Sequence, residues 1–108
     1  MIIIKYNGEE VQIQTGKYAD NDRLAIQLVD EEGYPYLTAT INIPHAELKD
    51  NETLIKNWSE NVGILSWLHE YGIVTALTGS VPTGMVEAAR VIIDKNRLKE
   101  LEGDDDNN

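Results

Sequence analysis

The sequence has no cysteine, no phenylalanine and no apolar run long enough for a membrane span, and each absence excludes a class of structure. Without cysteine there is no disulfide framework, no thiolate nucleophile and no cysteine-ligated zinc. Without phenylalanine, Trp58, Trp67 and five tyrosines supply all the aromatic mass, so leucine, isoleucine and valine must fill most of the core. The apolar start of the chain is short and lacks a basic flank, so we expect a first strand there, in a cytoplasmic protein.

Basic residues are scarce as well. Nine lysines and arginines stand against 19 aspartates and glutamates, which gives a net charge of −10. Asp104, Asp105 and Asp106 carry three of these charges, so the rest of the chain is at −7. An acidic surface repels phosphate backbones and steers basic proteins towards it. We therefore expect a basic protein partner, and neither nucleic acid nor a membrane; the alternative is that the acidity serves solubility alone.

The length and the hydrophobic patterns predict the overall architecture. A chain of 108 residues suffices for one core, so we expect a single domain over residues 1–102 and a disordered acidic tail over residues 103–108. The expected fold is α+β, because one clear helix is surrounded by segments with strand patterns. It is a mainly antiparallel, curved sheet of about five to six strands packed on that central helix, with a short C-terminal helix in addition.

The central helix is predicted over residues 59–71. Its apolar residues recur on one stripe of a 3.6-residue period, namely Ile64, Leu65, Leu68 and Tyr71. Ser59 suits the N-cap, because its hydroxyl can accept a hydrogen bond from a free N–H group of the first turn. Gly72 suits the left-handed residue that ends a helix in a Schellman motif.

The first half of the chain predicts a meander of strands. Asn7-Gly8 is a strong hairpin signal, because a type I′ turn needs positive φ at both central positions. The predicted strands cover residues 2–6, 9–15, 24–29 and 34–43, with a break over residues 16–23 and a turn over residues 30–33. The third is nearly continuous in apolar character and is expected to be central. Pro35 places the start of the fourth strand at an edge or a bulge, because proline cannot donate a ladder hydrogen bond.

The second half is less regular. The patterns predict a helical turn over residues 53–56, a short strand over residues 73–77, a loop over residues 78–84 and a helix over residues 95–102. Residues 85–93 are ambiguous. Met85, Ala88 and Ile92 fit a helix, whereas the β-branched residues from Val91 onward favour a strand. Periodicity alone leaves both alternatives open.

No catalytic constellation is evident. A hydrolytic triad would need His45 or His69 beside an activated serine and a carboxylate, and His69 is explained by the favourable position of a cation near a helix C-terminus. Gly79 and Gly84 have the spacing of a phosphate-binding loop, but Met85 stands where that loop needs lysine. We therefore expect no enzyme activity, no nucleotide and no other cofactor.

A metal site is the weaker alternative. Asp20, Asn21 and Asp22 place three oxygen-bearing side chains in one loop, yet Ala25 and Glu31 do not continue the calcium-loop pattern. A turn in which these side chains bond to the backbone explains the same residues. We expect no metal ligands.

Acidic residues cluster at the predicted turns and could form one rim if the hairpins splay in the same direction. The candidate partner-binding rim consists of Glu9, Glu10, Asp20, Asp22, Asp30, Glu31 and Glu32. The competing interpretation is that turns are polar in every protein.

Three segments resemble a known family. Residues 16–29, residues 38–43 and residues 54–65, the last with Lys56 followed by Ser59-Glu-Asn-Val-Gly63, are similar to a family of small acidic domains of unknown function. Such domains are encoded by phages, plasmids and conjugative elements of gut bacteria, and some proteins of this type inhibit the Cas9 nuclease. The resemblance implies an α+β fold in which Val86–Ile93 is a closing strand. It does not cover residues 95–108, and it implies no catalytic residues.

These observations predict a non-enzymatic, acidic, protein-binding domain of a mobile genetic element. The resemblance suggests inhibition of a host defence nuclease such as Cas9. Two alternatives come from other classes: a structural homo-oligomer that pairs through an exposed sheet edge, and a weak divalent-metal domain that uses Asp20, Asp22 or His45.

Overall fold

The computed structural model describes residues 2–102, and within them the α+β class is confirmed. The strands are β1 (Ile4–Tyr6), β2 (Glu9–Lys17), β3 (Leu24–Val29), β4 (Pro35–Thr38), β5 (Glu52–Ile55), β6 (Val74–Thr83) and β7 (Val86–Ile93). The helices are α1 (Ile64–Glu70) and α2 (Lys95–Glu102), and a 3-10 turn (Ser59–Asn61) precedes α1. The predicted acidic tail lies outside the described residues. No helix among the residues described is long and apolar enough to cross a membrane.

The expectation of one curved sheet of five to six strands is wrong. The strands form two antiparallel sheets, the first in the order β1-β2-β3-β4 and the second in the order β5-β7-β6. The predicted fourth strand, residues 34–43, belongs to the first sheet only as far as Thr38. Beyond it, Ala39 N–H donates to Ile26 O in β3, while Ala39 O accepts from Lys56 N–H just after β5. The chain therefore changes pairing partner here, and this change separates the two sheets.

The first sheet follows its local signals closely. Asn7 and Gly8 both have positive φ, 52° and 82°, as the predicted hairpin turn requires. Val11 and Ile13 are buried, and β3 is an inner strand, as expected. The break predicted from Gly16 onward comes too early, because Gly16 and Lys17 still pair with the start of β3.

Pro35 occupies the kind of position expected for it. It begins β4, which is an edge strand, and the register with β3 shifts between Leu28 and Val29, opposite this proline. A residue without an N–H group is tolerated there, because the ladder is already interrupted.

The helical turn predicted over residues 53–56 is wrong. Thr53, Leu54 and Ile55 are buried in β5, which pairs with β7 on one side. On its other side Leu54 O accepts from Ile41 N–H. Hydrogen bonds on both sides hold this short segment in the extended conformation, although polar residues precede and follow it.

The loop predicted over residues 78–84 is also wrong. These residues continue β6 to Thr83, and a two-residue turn with Gly84 at φ 72° leads into β7. The register of β6 shifts twice, at Thr75 and at Thr78. A Cβ atom on Gly79 would lie 2.6 Å from Nη2 of Arg90, so this glycine makes room for a side chain from β7. The strand alternative for residues 86–93 is confirmed, and β7 is the middle strand of its sheet.

The central helix is shorter than the predicted Ser59 to Tyr71. Ser59 is not an N-cap, because it lies in the 3-10 turn with φ 58°. Gly63, at φ 93°, separates this turn from the start of α1. Asn57 takes over the capping role, because its Oδ1 accepts from Leu65 N–H at 3.0 Å. The predicted Schellman stop is confirmed at Gly72, since Ile73 N–H donates to Leu68 O.

The helical segment bridges the two outer strands of the first sheet. Trp67 Nε1 donates to Lys5 O in β1 at 2.7 Å, and Asn61 Nδ2 donates to Thr38 O in β4 at 2.6 Å. The ring centroids of Tyr6 on β1 and Tyr36 on β4 lie 6.1 Å apart. Strands at opposite edges can approach this closely only if the sheet curves around the segment between them.

The terminal helix is confirmed with its predicted bounds. Leu98 and Leu101 are buried in the same core cluster as residues of both sheets and of α1. Glu102 fixes the end of α2 to β2, because its carboxylate accepts from both the N–H and the hydroxyl of Thr15.

Candidate functional site

The structure divides the seven residues of the predicted acidic rim into two groups. Glu9 and Glu10 begin β2, and Asp30, Glu31 and Glu32 form the turn that follows β3. Because β2 and β3 are antiparallel, the start of one lies beside the end of the other. These five residues therefore share one end of the first sheet, which we call the acidic end.

Asp20 and Asp22 do not belong to this group. They lie in the loop between β2 and β3, at the opposite end of the hairpin. Residues 11–17 of β2 separate the two groups. At a rise of about 3.3 Å per residue, that is roughly 25 Å. The chain thus has a five-residue acidic surface and a separate polar loop, not one rim of seven residues.

The acidic end surrounds a shallow hollow of about 490 Å³. Among the residues that the structure describes, its lining consists of the five acidic residues together with Gly8 and one cation, Lys5. None of the five carboxylates forms an ion pair with another residue in the described part of the chain. The hollow therefore concentrates five negative charges against the single positive charge of Lys5.

Asp30 shapes this surface. Its Oδ1 accepts from the N–H groups of Glu32 and Tyr34, both at 2.9 Å, and its backbone carbonyl accepts from Gly33 N–H. This is the turn chemistry in which an aspartate side chain bonds to the backbone just after it. Asp30 is a structural residue of the turn that holds Glu31 and Glu32 outward, where both are exposed.

Two exposed tyrosines adjoin the acidic end. Tyr34, 65% exposed, follows the turn directly, and Tyr36 lies two residues further along β4. The Tyr36 ring packs edge-on against Tyr6, whose ring packs edge-on against Trp67 at 5.3 Å. Burial raises the pKa of Tyr6, so the inner member of this row stays uncharged. The strand pattern hid the tyrosines from sequence analysis, although exposed aromatics beside carboxylates are typical of binding surfaces.

The loop at the opposite end forms a closed hydrogen-bond network. Asp20 Oδ1 accepts from Asn42 Nδ2 at 2.9 Å, and Asn42 Oδ1 accepts from Asn21 Nδ2 at 3.0 Å. Arg23 donates to the carbonyl oxygens of Ile43, at 2.9 Å, and Ala46. These bonds fasten the loop to residues 42–46 and engage the side chains of Asp20, Asn21 and Arg23, whereas Asp22 is exposed.

The metal site, the catalytic histidine and the phosphate-binding loop considered from the sequence are not assembled within residues 2–102. No three histidine, aspartate or glutamate side chains there are grouped so that they could hold a metal ion. His45 is exposed just after Pro44, and His69 is exposed in the last turn of α1, the position predicted for it. Gly79 and Gly84 belong to the β6–β7 hairpin rather than to a loop before a helix.

No protein-family model matches the chain, and no match to it was found among curated proteins or solved structures. The resemblance to acidic domains of mobile elements therefore stays a prediction.

Proposed function

We propose that this chain is a non-enzymatic protein-binding domain that docks its acidic end on a basic surface of another protein. The observation that carries the proposal is the group of five carboxylates around one hollow, none of them in an ion pair within the described residues. A protein that needs charge only for solubility can spread it over the whole surface. When carboxylates are concentrated in one place they repel one another, and a cationic partner relieves that repulsion when it binds.

The acidic end also suits a partner physically. Carboxylates that are already exposed and unpaired lose no internal ion pair when they bind, so the electrostatic attraction is not offset by broken bonds. Tyr34 and Tyr36 beside them offer ring faces to arginine or lysine side chains.

The resemblance to small acidic domains of mobile elements extends the proposal to a class of partner. Nucleases that bind nucleic acid carry basic channels for the phosphate backbone, and an acidic surface can occupy such a channel. We propose a host defence nuclease such as Cas9 as the partner. This step is supported by the sequence resemblance and by the charge, and by no structural comparison.

Two variants of equal charge test the proposal. Glu9→Gln, Glu10→Gln and Glu31→Gln together neutralise part of the acidic end, while Glu47→Gln, Asp50→Asn and Asp22→Asn neutralise three exposed carboxylates elsewhere. Binding to purified Cas9, and recovery of basic proteins from a bacterial lysate, would be measured at low and high salt. We expect the first variant to bind at least tenfold more weakly than the wild type, and the second to bind within about twofold of it.

Equal losses in both variants would mean that only net charge matters and would contradict a dedicated acidic end. Binding that is indifferent to salt would contradict it as well, because exposed charges are screened over about 10 Å at 0.1 M salt.

A second candidate function, assembly with copies of itself, is favoured by one observation. β6 is a ten-residue edge strand without a charged side chain, and such an edge can pair with its own copy across a two-fold axis. Sedimentation velocity over a hundredfold concentration range tests it, with a concentration-dependent dimer as the positive result.

A further inference from the structure

A second surface of the molecule is apolar instead of acidic. It is a groove between α1 and β6 that continues onto the β6–β7 hairpin as two adjoining hollows of about 490 and 380 Å³. Leu65 of α1 and Leu77 of β6 line both hollows, so the two form one continuous groove. Trp58 lies in the second hollow. The acidic end shares none of these residues.

The groove exposes large apolar side chains, which folded proteins bury in most cases. Leu77 is 65% exposed and Val86 is 36% exposed, while Leu65 and Trp58 are half-buried at the base. Scattered exposed apolar residues need no explanation, but here they adjoin one another around a groove, which is an arrangement that a ligand can use. Leu65 and Trp58 also pack against the two core clusters, so this base is held in place before any partner arrives.

The charged side chains around the groove indicate the charge that a binding partner should carry. Among the described residues no lysine or arginine lines either hollow, whereas Glu70 and His69 line the first and Glu87 the second. Ser80 Oγ is bonded to Glu87, which holds this carboxylate beside the groove. A ligand here meets apolar side chains in the middle and one carboxylate in each hollow. Its complement is an apolar segment with a basic residue at each end.

We propose that the groove binds a short segment of another protein, with apolar side chains on Leu65, Leu77 and Trp58 and basic residues facing Glu70 and Glu87. This inference rests on the proposed function, because it assigns a second contact to the same basic partner. Two contacts on one partner raise the affinity through effective concentration, and the apolar contact adds the specificity that charge alone does not supply.

The other occupants fit less well. A second copy of the chain carries the same −10 charge, and the edge it would pair is blunted by two register shifts in β6 and by Pro82, which has no N–H group. Residues 103–108, Gly-Asp-Asp-Asp-Asn-Asn, contain no apolar side chain to fill the groove.

Three synthetic peptides test the inference. The first has four central leucines between two pairs of lysines, the second has the same composition with leucine and lysine alternating, and the third has glutamate in place of lysine. Binding is followed by Trp58 fluorescence in a Trp67→Phe background and by NMR shifts of the wild-type chain. We expect the first peptide to bind with a blue shift of Trp58 emission, the second at least tenfold more weakly, and the third not at all.

Matched variants locate the contact. Leu77→Ser should weaken binding of the first peptide at least tenfold, and Val86→Ser should weaken it severalfold. Ile3→Ser removes an aliphatic side chain that is 49% exposed outside the groove, and it should leave the affinity within twofold. Circular dichroism confirms that each variant is folded.

The outcomes separate this inference from the proposed function. If the first two peptides bind equally, with salt dependence and with no effect of Leu77→Ser, the groove assignment is overturned while the acidic end keeps its function. Failure of the first peptide to bind at millimolar concentration also overturns the groove, whatever the triple acidic-end variant does with Cas9. A dimer that Leu77→Ser dissociates would give the groove to a second copy and overturn the assignment to another protein.

Discussion

The two ends of the β2–β3 hairpin carry similar polar residues that have different tasks. At one end Asp20, Asn21 and Arg23 bond to residues 42–46 and hold the loop in place. At the other end Glu31 and Glu32 are exposed and have no cationic partner within the described residues. The composition of the two turns does not explain this difference.

The explanation lies in what each end faces. The chain that leaves β4 crosses the loop between β2 and β3 and supplies it with an amide from Asn42 and with carbonyl oxygens from Ile43 and Ala46. Within residues 2–102 no such segment crosses the acidic end, and Lys5 is the one cation among them in the lining of the hollow. Polar residues become structural where tertiary partners reach them, and stay available for binding where none do.

Among substitutions that test this comparison, we expect the largest loss of stability at Arg23. Arg23→Ala removes the guanidinium donor from Ala46 O and leaves Ile43 O with the Ala46 N–H as its donor, in a partly buried site. We expect a loss of about 2–3 kcal/mol in the free energy of unfolding, measured by urea denaturation. Lys17→Ala, an exposed cation at the end of β2, is the control and should change stability by less than about 0.5 kcal/mol. Equal effects would mean that the network does not hold the loop.

A smaller effect is expected at the acidic end, where only Asp30 has a structural task. Asp30→Ala removes the acceptor of the Glu32 and Tyr34 N–H groups, and because both bonds are exposed we expect a loss of about 1 kcal/mol. Glu31→Ala in the same turn should leave stability within about 0.5 kcal/mol. A cost for Glu31→Ala as large as that for Asp30→Ala would show that the acidic end is structural, and would remove the contrast between the two ends.

Much of the fold follows from local sequence signals. The Asn7-Gly8 turn, β3 and α2 each combine an unbroken pattern with clear turn or capping residues, whereas the pattern of β7 left helix and strand open. β5 and the second half of β6 could not be predicted in this way, because β5 is a four-residue strand between polar segments and residues 78–83 contain Gly79 and Pro82, which are depleted in strands. Both owe their conformation to pairing with β7. Gly63 shortened the central helix, and a glycine at φ 93° has no signature that separates it from an ordinary helical glycine.

Part of the candidate site was accessible to sequence reasoning. In an antiparallel meander, the turn between β1 and β2 and the turn between β3 and β4 lie at the same end, while the β2–β3 loop lies at the other. Strand order alone thus separates Asp20 and Asp22 from the other five residues. The apolar groove was not accessible, because Leu65 and Leu77 meet only through the tertiary packing of α1 beside β6.

The smallest expected effect is a change in the pKa of Glu60, an exposed carboxylate that forms an ion pair with Lys56. Glu60 Oε2 lies 2.8 Å from Lys56 Nζ, and this bond, with smaller contributions from its own N–H and from Ser59, lowers the pKa of Glu60 to about 2 from 4.5. A carboxylate whose pKa is lower in the folded state adds stability above its unfolded pKa, and this stability is lost as the pH falls from about 4.5 to about 2. Lys56→Met should raise the pKa of Glu60 towards its usual value, as measured by NMR titration of the side-chain carboxyl carbon, while Lys5→Met at the acidic end should not change it. An unchanged titration in Lys56→Met would show that an exposed lysine at this distance does little for its partner, and Lys5 would then be equally unable to compensate the five carboxylates beside it.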